Sequence, residues 1–207
     1  MELQNLGWNA ASVGFVGTLV FTVVEAWGLL QQNKAIWRSR SGRSVSVTWF
    51  SYFAALSFAY GVYALTIGSI ALVFNGFVLA LFHAPIIVGL WKFKGFSRVE
   101  KFLGACFLAA MAVTILTPAK DWFVLLFSFG SIVSYLAQPL EIWRRKSSGV
   151  VEIRLLAVYF VSTSFWVLYA FAVGNWVLRI TCPAYLVILG ATIALWFRYR
   201  PARTEKT

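Results

Sequence analysis

Residues 136–149 have the sequence LAQPLEIWRRKSSG, and residues 30–43, which lie 106 positions earlier, have the sequence LQQNKAIWRSRSGR. The two segments share a Gln, an Ile-Trp-Arg triplet and a Ser. The similarity continues at the same offset through Tyr63 and Tyr169 and through Gly68 and Gly174, with nine identities in the 37 positions from 32 to 68. Apolar composition alone would match a few positions, but not these polar and aromatic ones. The chain therefore contains an internal repeat.

The overall composition indicates a membrane protein. Of the 207 residues, 60% are apolar and 12% are charged, and the mean hydropathy is +0.78. A soluble domain is about 45–50% apolar and about 25% charged. With so little charge the chain cannot form a wettable surface, which excludes a soluble enzyme. Cys106 and Cys182 fall inside apolar stretches and are predicted to be small buried residues, not a disulfide or a metal site.

Seven apolar stretches are separated by charged or turn-forming residues. Each has nearly the length of about 20 residues that a helix needs to cross a bilayer. Where two stretches adjoin without intervening charge, Gly68-Ser69 and Gly174-Asn175 predict tight turns between helices. The predicted spans are 10–31, 47–67, 70–91, 102–118, 121–141, 155–174 and 176–197.

The basic residues alternate with these spans. The chain has 18 Lys and Arg against 7 Asp and Glu, a net charge of +11. Sixteen of the 18 lie in four segments of four each (33–43, 92–101, 144–154 and 198–206), and only Lys120 and Arg179 lie elsewhere. The positive-inside rule then predicts an outside N-terminus and a cytoplasmic C-terminus. The charge is thus explained by topology, and no nucleic-acid partner is expected.

The repeat and the spans together predict an all-α integral membrane fold. The repeat unit is three helices, and an odd number of spans reverses the chain direction. A fourth, linking helix between the units is needed for both to have the same orientation. Two parallel three-helix repeats are a transporter layout with the substrate site near the midplane.

The repeated segments resemble a motif of a known family. The Gln138-Pro139 pair, the basic run and the Lys146-Ser147 turn resemble a PQ-loop, and residues 31–46 resemble a degenerate copy. The 3+1+3 arrangement is similar to that of SWEET and PQ-loop transporters. The resemblance implies a first triple-helix bundle at 1–98 with its PQ-loop-like segment at 31–46, a linker helix at 99–119, a second bundle at 120–200 with its PQ-loop at 137–153, and a basic tail at 201–207.

Four residues are candidates for substrate binding. Asn75 is an amide in a stretch of Leu, Val and Phe and must find a partner there, either a neighbouring helix or a solute. The resemblance favours the solute, with Thr181 as the repeat equivalent of Asn75. Tyr60 and Trp166 are also repeat equivalents, and their aromatic faces suit the CH-rich face of a sugar or simple packing.

Three further residues are candidates for proton coupling or for polar positions in the cavity. Glu25 is the one acidic residue deep inside a predicted span. It is a candidate proton relay, a partner for a substrate ammonium, or a hydrogen-bond donor between helices. His83, the only histidine, lies eight residues after Asn75 on roughly the same helix face, and Ser131 belongs to a polar stripe on helix 5.

A last group of residues is predicted to form hinges or gates. Proline removes a backbone hydrogen bond, so Pro139 is predicted to break helix 5 and to supply a hinge, with a static kink as the alternative. The resemblance implies hinge or gate positions at Gln138, Pro139, Gln32, Asn33, Tyr63 and Tyr169.

These observations lead to a carrier for a small polar solute, first a mono- or disaccharide, working by alternating access. One alternative is a proton-coupled amino-acid carrier similar to cystinosin. Another, of a different class, is a sorting receptor similar to the KDEL receptor, which would need cavity arginines. No enzymatic activity, metal or cofactor is expected. Besides the solute, the partner is the lipid bilayer of a plasma or bacterial inner membrane, and the sequence leaves open whether the chain forms a homo-oligomer.

Overall fold

The computed structural model describes residues 7–42, 45–146 and 153–199, apart from the side chains of seven helical residues near the chain's middle (134, 137, 138, 141, 145, 154 and 155). Within these ranges every regular element is an α-helix, as predicted. The helices are α1 (Ala10–Ser39), α2 (Val47–Ile67), α3 (Ile70–Phe93), α4 (Arg98–Leu116), α5 (Lys120–Arg145), α6 (Ile153–Val173) and α7 (Trp176–Arg198).

The predicted end of the first helix and the predicted break in the fifth helix are wrong. The first helix continues past the predicted end at 31 to Ser39, so that Gln32 and Asn33 are helical. The fifth helix is not broken at Pro139, because α5 runs through this proline to Arg145. Hydropathy marks where charge begins, whereas Lys, Arg, Gln and Glu remain good helix formers beyond that point.

The outer surface of the bundle is apolar. On α1 the side chains of Val16, Val20, Val23 and Trp27 are exposed, and α4 exposes Phe102 in the same way. A monomeric soluble protein rarely exposes apolar patches of this extent. Six of the helices within the described ranges, all except α5, are long and apolar enough to cross a membrane. The protein is therefore a multi-pass membrane protein, and the count of seven spans stays a prediction.

The helices pack in two related sets. In the first set α3 contacts both α1 and α2, and in the second set α7 contacts both α5 and α6. The sets meet through two helix pairs, α1 with α6 and α2 with α5. These two contacts are themselves equivalent, because α1 corresponds to α5 in the repeat and α2 corresponds to α6. The remaining helix, α4, packs on α2 and α5. This pattern follows the sequence repeat and leaves space between the sets.

Small residues allow the close contacts. A Cβ placed on Gly76 of α3 would lie 2.6 Å from the Cα of Gly61 on α2. A Cβ on Gly14 of α1 would lie 2.8 Å from the backbone nitrogen of Tyr169 on α6. Backbones that approach this closely are typical of helix packing in lipid, where van der Waals contact drives association.

The two predicted tight turns are confirmed, and they define what we call the turn end of the bundle. Gly68 and Gly174 end α2 and α6 with φ of +65° and +77°, values that glycine adopts without strain. The next residues, Ser69 and Asn175, cap α3 and α7 by accepting hydrogen bonds from Leu72 and Leu178. The opposite end, where α1 ends, α2 begins and residues 94–97 connect α3 to α4, is called the loop end.

The cysteines differ from the prediction in one respect. Cys182 of α7 is buried, as predicted, whereas Cys106 is exposed on the outer face of α4. Both are free thiols. An apolar residue in a membrane helix faces either the protein interior or the lipid, and hydropathy alone does not distinguish these two positions.

Candidate functional site

A cavity of about 170 Å³ lies between the two helix sets, and we call it the main cavity. Six of the predicted site residues line it. They come from α1, α2, α3, α5 and α6, so the cavity is built by both sets. These residues are Glu25, Tyr60, Asn75, His83, Ser131 and Trp166.

Asn75 is held by a hydrogen bond to the neighbouring helix. Its Nδ2 donates to the Oγ1 of Thr22 on α1 at 2.9 Å, and Thr22 in turn donates to the carbonyl of Thr18 at 2.7 Å. The repeat equivalent of Thr22 is Ser128, whose Oγ lies 2.6 Å from the hydroxyl of Tyr60. The Asn75 amide is thus fixed in orientation at the cavity wall, while its side chain stays partly accessible.

Glu25 accepts a hydrogen bond from the buried hydroxyl of Ser162 at 2.5 Å, across the contact between α1 and α6. Tyr135 and Tyr159 line the main cavity together with Glu25. The 106-residue offset places Ser131 opposite Glu25, so the acidic group is present in one set only. Ser131 donates to the carbonyl of Ser128 and is hydrogen-bonded to Tyr185.

His83 presents an acceptor nitrogen. Its Nδ1 lies 2.6 Å from the carbonyl oxygen of Leu79, and a carbonyl can only accept, so Nδ1 carries the proton. In the neutral ring Nε2 then has a lone pair, and this buried nitrogen has no hydrogen-bond partner. The ring packs beside Trp49 and Phe50, with ring centroids 6.5 and 5.9 Å away. His83 thus lines the main cavity and holds a buried nitrogen that lacks a hydrogen-bond partner.

Tyr63 and Tyr169 join the two helix sets at the turn end. The hydroxyl of Tyr169 lies 2.6 Å from the Oγ of Ser69, and the Nδ2 of Asn175 donates to the hydroxyl of Tyr63 at 3.3 Å. The two bonds are repeat equivalents, since each joins a tyrosine of one set to the helix cap of the other. All four side chains are buried, and we call these four residues the tyrosine layer.

A second cavity, of about 380 Å³, lies at the turn end. It is lined by Tyr63, Tyr169, Ser69 and Asn175 together with Lys120 and other residues of the turns. None of these residues lines the main cavity. The tyrosine layer therefore lies between the two cavities, and the ring of Tyr169 packs on that of Trp166 at the main cavity, with centroids 5.7 Å apart.

Among the described side chains, the other predicted residues do not line the main cavity. Thr181 is fully buried in α7 and donates to the carbonyl of Val177 at 3.1 Å, so it does not line the cavity as Asn75 does. Gln32 and Asn33 lie in the last turns of α1, and the buried Oδ1 of Asn33 has no hydrogen-bond partner. Pro139 is buried within α5, and the Gln138 side chain lies outside the described residues.

Arg179, the basic residue that topology leaves unexplained, serves a structural role. Its Nη2 donates to the carbonyl of Phe171 at 2.9 Å and its Nε to that of Ala170 at 3.3 Å. These carbonyls belong to the end of α6, where that of Ala170 also accepts from the backbone nitrogen of Asn175 at 3.1 Å. Arg179 therefore caps α6 and does not line the main cavity.

Sequence reasoning missed several lining residues. Ser162, Tyr135, Tyr159, Cys182 and Tyr185 line the main cavity and were not among the candidates. Helical spacing could have identified three of them, since Tyr135 follows Ser131 by four residues, and Ser162 and Tyr159 precede Trp166 by four and seven. Cys182 and Tyr185 have no such signal, because the candidate on α7, Thr181, does not line the cavity.

Two pseudo-symmetric three-helix sets, a linking helix and a central cavity define a parallel-repeat membrane fold. No protein-family model and no curated protein matches the sequence. Among solved structures the chain is similar to a eukaryotic SWEET transporter, with a TM-score of 0.72 and 16% sequence identity over 92% of this chain and 96% of that one. The fold is SWEET-like, as the sequence resemblance implies.

Proposed function

We propose that this protein is a carrier that moves a small polar solute across a membrane by alternating access. The observation that carries the proposal is the tyrosine layer, because it is built from equivalent residues of both helix sets and separates two cavities. Relative movement of the sets would break both hydrogen bonds together. A static channel would have no need for a paired closure of this kind.

The proposed topology places the loop end in the cytoplasm. The basic segments near residues 33–43 and 92–101 lie at this end, and the positive-inside rule assigns it to the cytoplasmic side. All seven helices then cross the bilayer, and the chain divides into bundles at 1–98 and 120–200 with α4 between them. The membrane is a plasma or bacterial inner membrane.

The main cavity suits a small solute. Its volume of about 170 Å³ is below the roughly 300–1,000 Å³ typical of sites for drug-sized ligands, which favours a monosaccharide-sized molecule over a disaccharide. The Asn75 amide can bind polar groups, and the rings of Tyr60 and Trp166 can contact an apolar face. Because the similar solved structure is that of a SWEET transporter, a sugar is the first solute to test.

Uptake by proteoliposomes tests this proposal. Purified protein should accelerate the uptake of at least one labelled small solute, from a panel of glucose, alanine and choline, relative to protein-free vesicles. Asn75→Ala should reduce this uptake at least tenfold without changing the elution volume on gel filtration. If no solute of any class enters, or if Asn75→Ala transports normally, the assignment fails.

A proton-coupled carrier, the amino-acid alternative, is favoured by one observation. Glu25 is an acidic side chain at the wall of the main cavity, and its partner is a hydroxyl instead of a cation. An imposed pH gradient separates the mechanisms, because only a coupled carrier accumulates solute against its gradient. The receptor alternative lacks support, since the described residues that line the main cavity include no Arg or Lys.

A further inference from the structure

The chemistry of the main cavity is suited to a positively charged solute. Among the described residues that line it, Glu25 is the one carboxyl group, and none is Arg or Lys. The Glu25 carboxyl accepts from Ser162, which supplies a hydrogen bond but no charge. A carboxyl group that is buried without a cation keeps its proton more readily, whereas a bound cation stabilises the carboxylate. A cationic solute therefore gains an ion pair that a neutral solute cannot form.

The aromatic lining adds to this preference. The residues that line the same cavity as Glu25 include Trp49, Tyr60, Tyr135, Tyr159 and Trp166. The faces of aromatic rings attract cations, and the attraction strengthens when water is excluded. A wall that combines aromatic faces with one carboxylate is typical of sites for organic ammonium groups.

The unpartnered Nε2 of His83, a residue that lines the main cavity, is compatible with the same class of ligand. Because Nδ1 donates to Leu79, the unpartnered Nε2 is an acceptor in the neutral ring. A solute that carries an N–H or O–H donor beside its cationic centre can supply the missing partner. An anionic solute would gain nothing from either Nε2 or the carboxylate.

We infer that the solute of this carrier is a small organic cation, whose ammonium group binds Glu25 among the aromatic rings of the main cavity. The inference rests on the proposed transport function and changes its substrate class. A sugar has no charge to match the carboxylate. A zwitterionic amino acid would bring its own carboxylate into a cavity whose described lining has no Arg or Lys.

Choline and its neutral analogue test the inference on the wild-type protein. In 3,3-dimethylbutan-1-ol a carbon replaces the choline nitrogen, so that the two differ in charge and hardly in shape. Labelled choline should enter proteoliposomes faster than protein-free vesicles, and excess tetramethylammonium should inhibit this uptake. An equal excess of 3,3-dimethylbutan-1-ol should inhibit at least tenfold less.

A matched pair of variants then locates the charge. Glu25→Gln should reduce choline uptake at least tenfold, whereas Glu25→Asp should retain part of it. Glu100→Gln is the control, because it makes the same change outside the cavity, at the capping box of α4, where glutamine can also form the capping hydrogen bond. Its choline uptake should stay within twofold of wild type. Both cavity variants are compared at equal gel-filtration yield.

The outcomes separate this inference from the transport function. If glucose or alanine enters and choline does not, or if the neutral analogue inhibits as well as tetramethylammonium, the cation assignment is wrong and the carrier assignment stands. Normal choline uptake by Glu25→Gln also overturns it. If no solute of any class enters, the proposed transport function and this inference both fail.

Discussion

The hydroxyl of Tyr169 on α6 lies 2.6 Å from the Oγ of Ser69, the residue that caps α3. The equivalent pair, Tyr63 and Asn175, is joined in the same way across the bundle. Each bond ties the start of one set's third helix to the second helix of the other set. The contacts between the two sets at the turn end are therefore made by the residues that follow the tight turns. The two contacts are equivalent because the sequence repeat contains both the tyrosine and the turn.

Removing the hydroxyls of this layer should weaken closure at the turn end. In a membrane protein an interhelical hydrogen bond contributes about 0.6 kcal/mol, so each of Tyr63→Phe and Tyr169→Phe should shift the equilibrium towards turn-end opening about threefold. The double variant should shift it by about the product of the two factors. Solute uptake from each side, measured under saturating conditions, would show the change. A double variant with unchanged kinetics on both sides would contradict the gate.

Thr22→Val should impair the carrier less than Asn75→Ala does. Valine keeps the volume of threonine but cannot accept the hydrogen bond from Asn75 Nδ2, so the amide loses its fixed orientation and keeps its chemistry. We expect a raised KM for solute with a smaller change in kcat. Thr114→Val is the control, because this buried threonine bonds only the carbonyl of Ala110 within its own helix. Equal effects of the two threonine variants would contradict the proposed positioning role.

Gly76→Ala should destabilise the fold, since its Cβ would meet the backbone of Gly61 and the helices would have to separate. Overpacking of this kind costs about 1–3 kcal/mol, which lowers the melting temperature of a chain this size by at least about 2 °C. Gly28→Ala is the matched control, because no atom lies within 4 Å of its added Cβ. Thermal unfolding in detergent measures both, and equal melting temperatures would show that the contact is unimportant.

Arg179→Gln should affect stability and spare transport. The guanidinium group bonds the last carbonyls of α6 at the bundle surface, so its loss should lower the melting temperature by a few degrees. Uptake, corrected for folded protein, should remain within twofold of wild type. A large loss of uptake at normal stability would place Arg179 in the transport path and revive an anion-binding role.

The sequence predicted the positions of all seven helices and both tight turns, because hydropathy, charge and the repeat each mark the same boundaries. It misjudged the ends near Ser39 and Arg145, where charged but helix-forming residues continue the helix beyond the apolar stretch. The predicted break at Pro139 was wrong because a proline is tolerated in a membrane helix where neighbouring groups satisfy the freed backbone hydrogen bonds.

The candidate site was predictable where local pattern sufficed. Asn75 and Glu25 stand out because polar groups are rare in such helices. Their partners, Thr22 and Ser162, could not be predicted, since these contacts depend on how α1 packs on α3 and α6. The repeat also suggested that Thr181 lines the cavity as Asn75 does. Its hydroxyl instead donates to a carbonyl of its own helix, and the neighbouring residues of α7 line the cavity.

The accessibility of Cys182 tests the central claim most directly. In a Cys106→Ser background Cys182 is the chain's remaining cysteine, and it lines the main cavity. A membrane-impermeant methanethiosulfonate reagent is applied to right-side-out or inside-out vesicles. In this single-cysteine protein we predict faster labelling from the loop end than from the turn end. In the same background the Tyr63→Phe, Tyr169→Phe double variant should show faster labelling from the turn end, matched by slower labelling from the loop end. Fast labelling from both ends in the same protein, or rates that the double variant leaves unchanged, would contradict alternating access through this cavity.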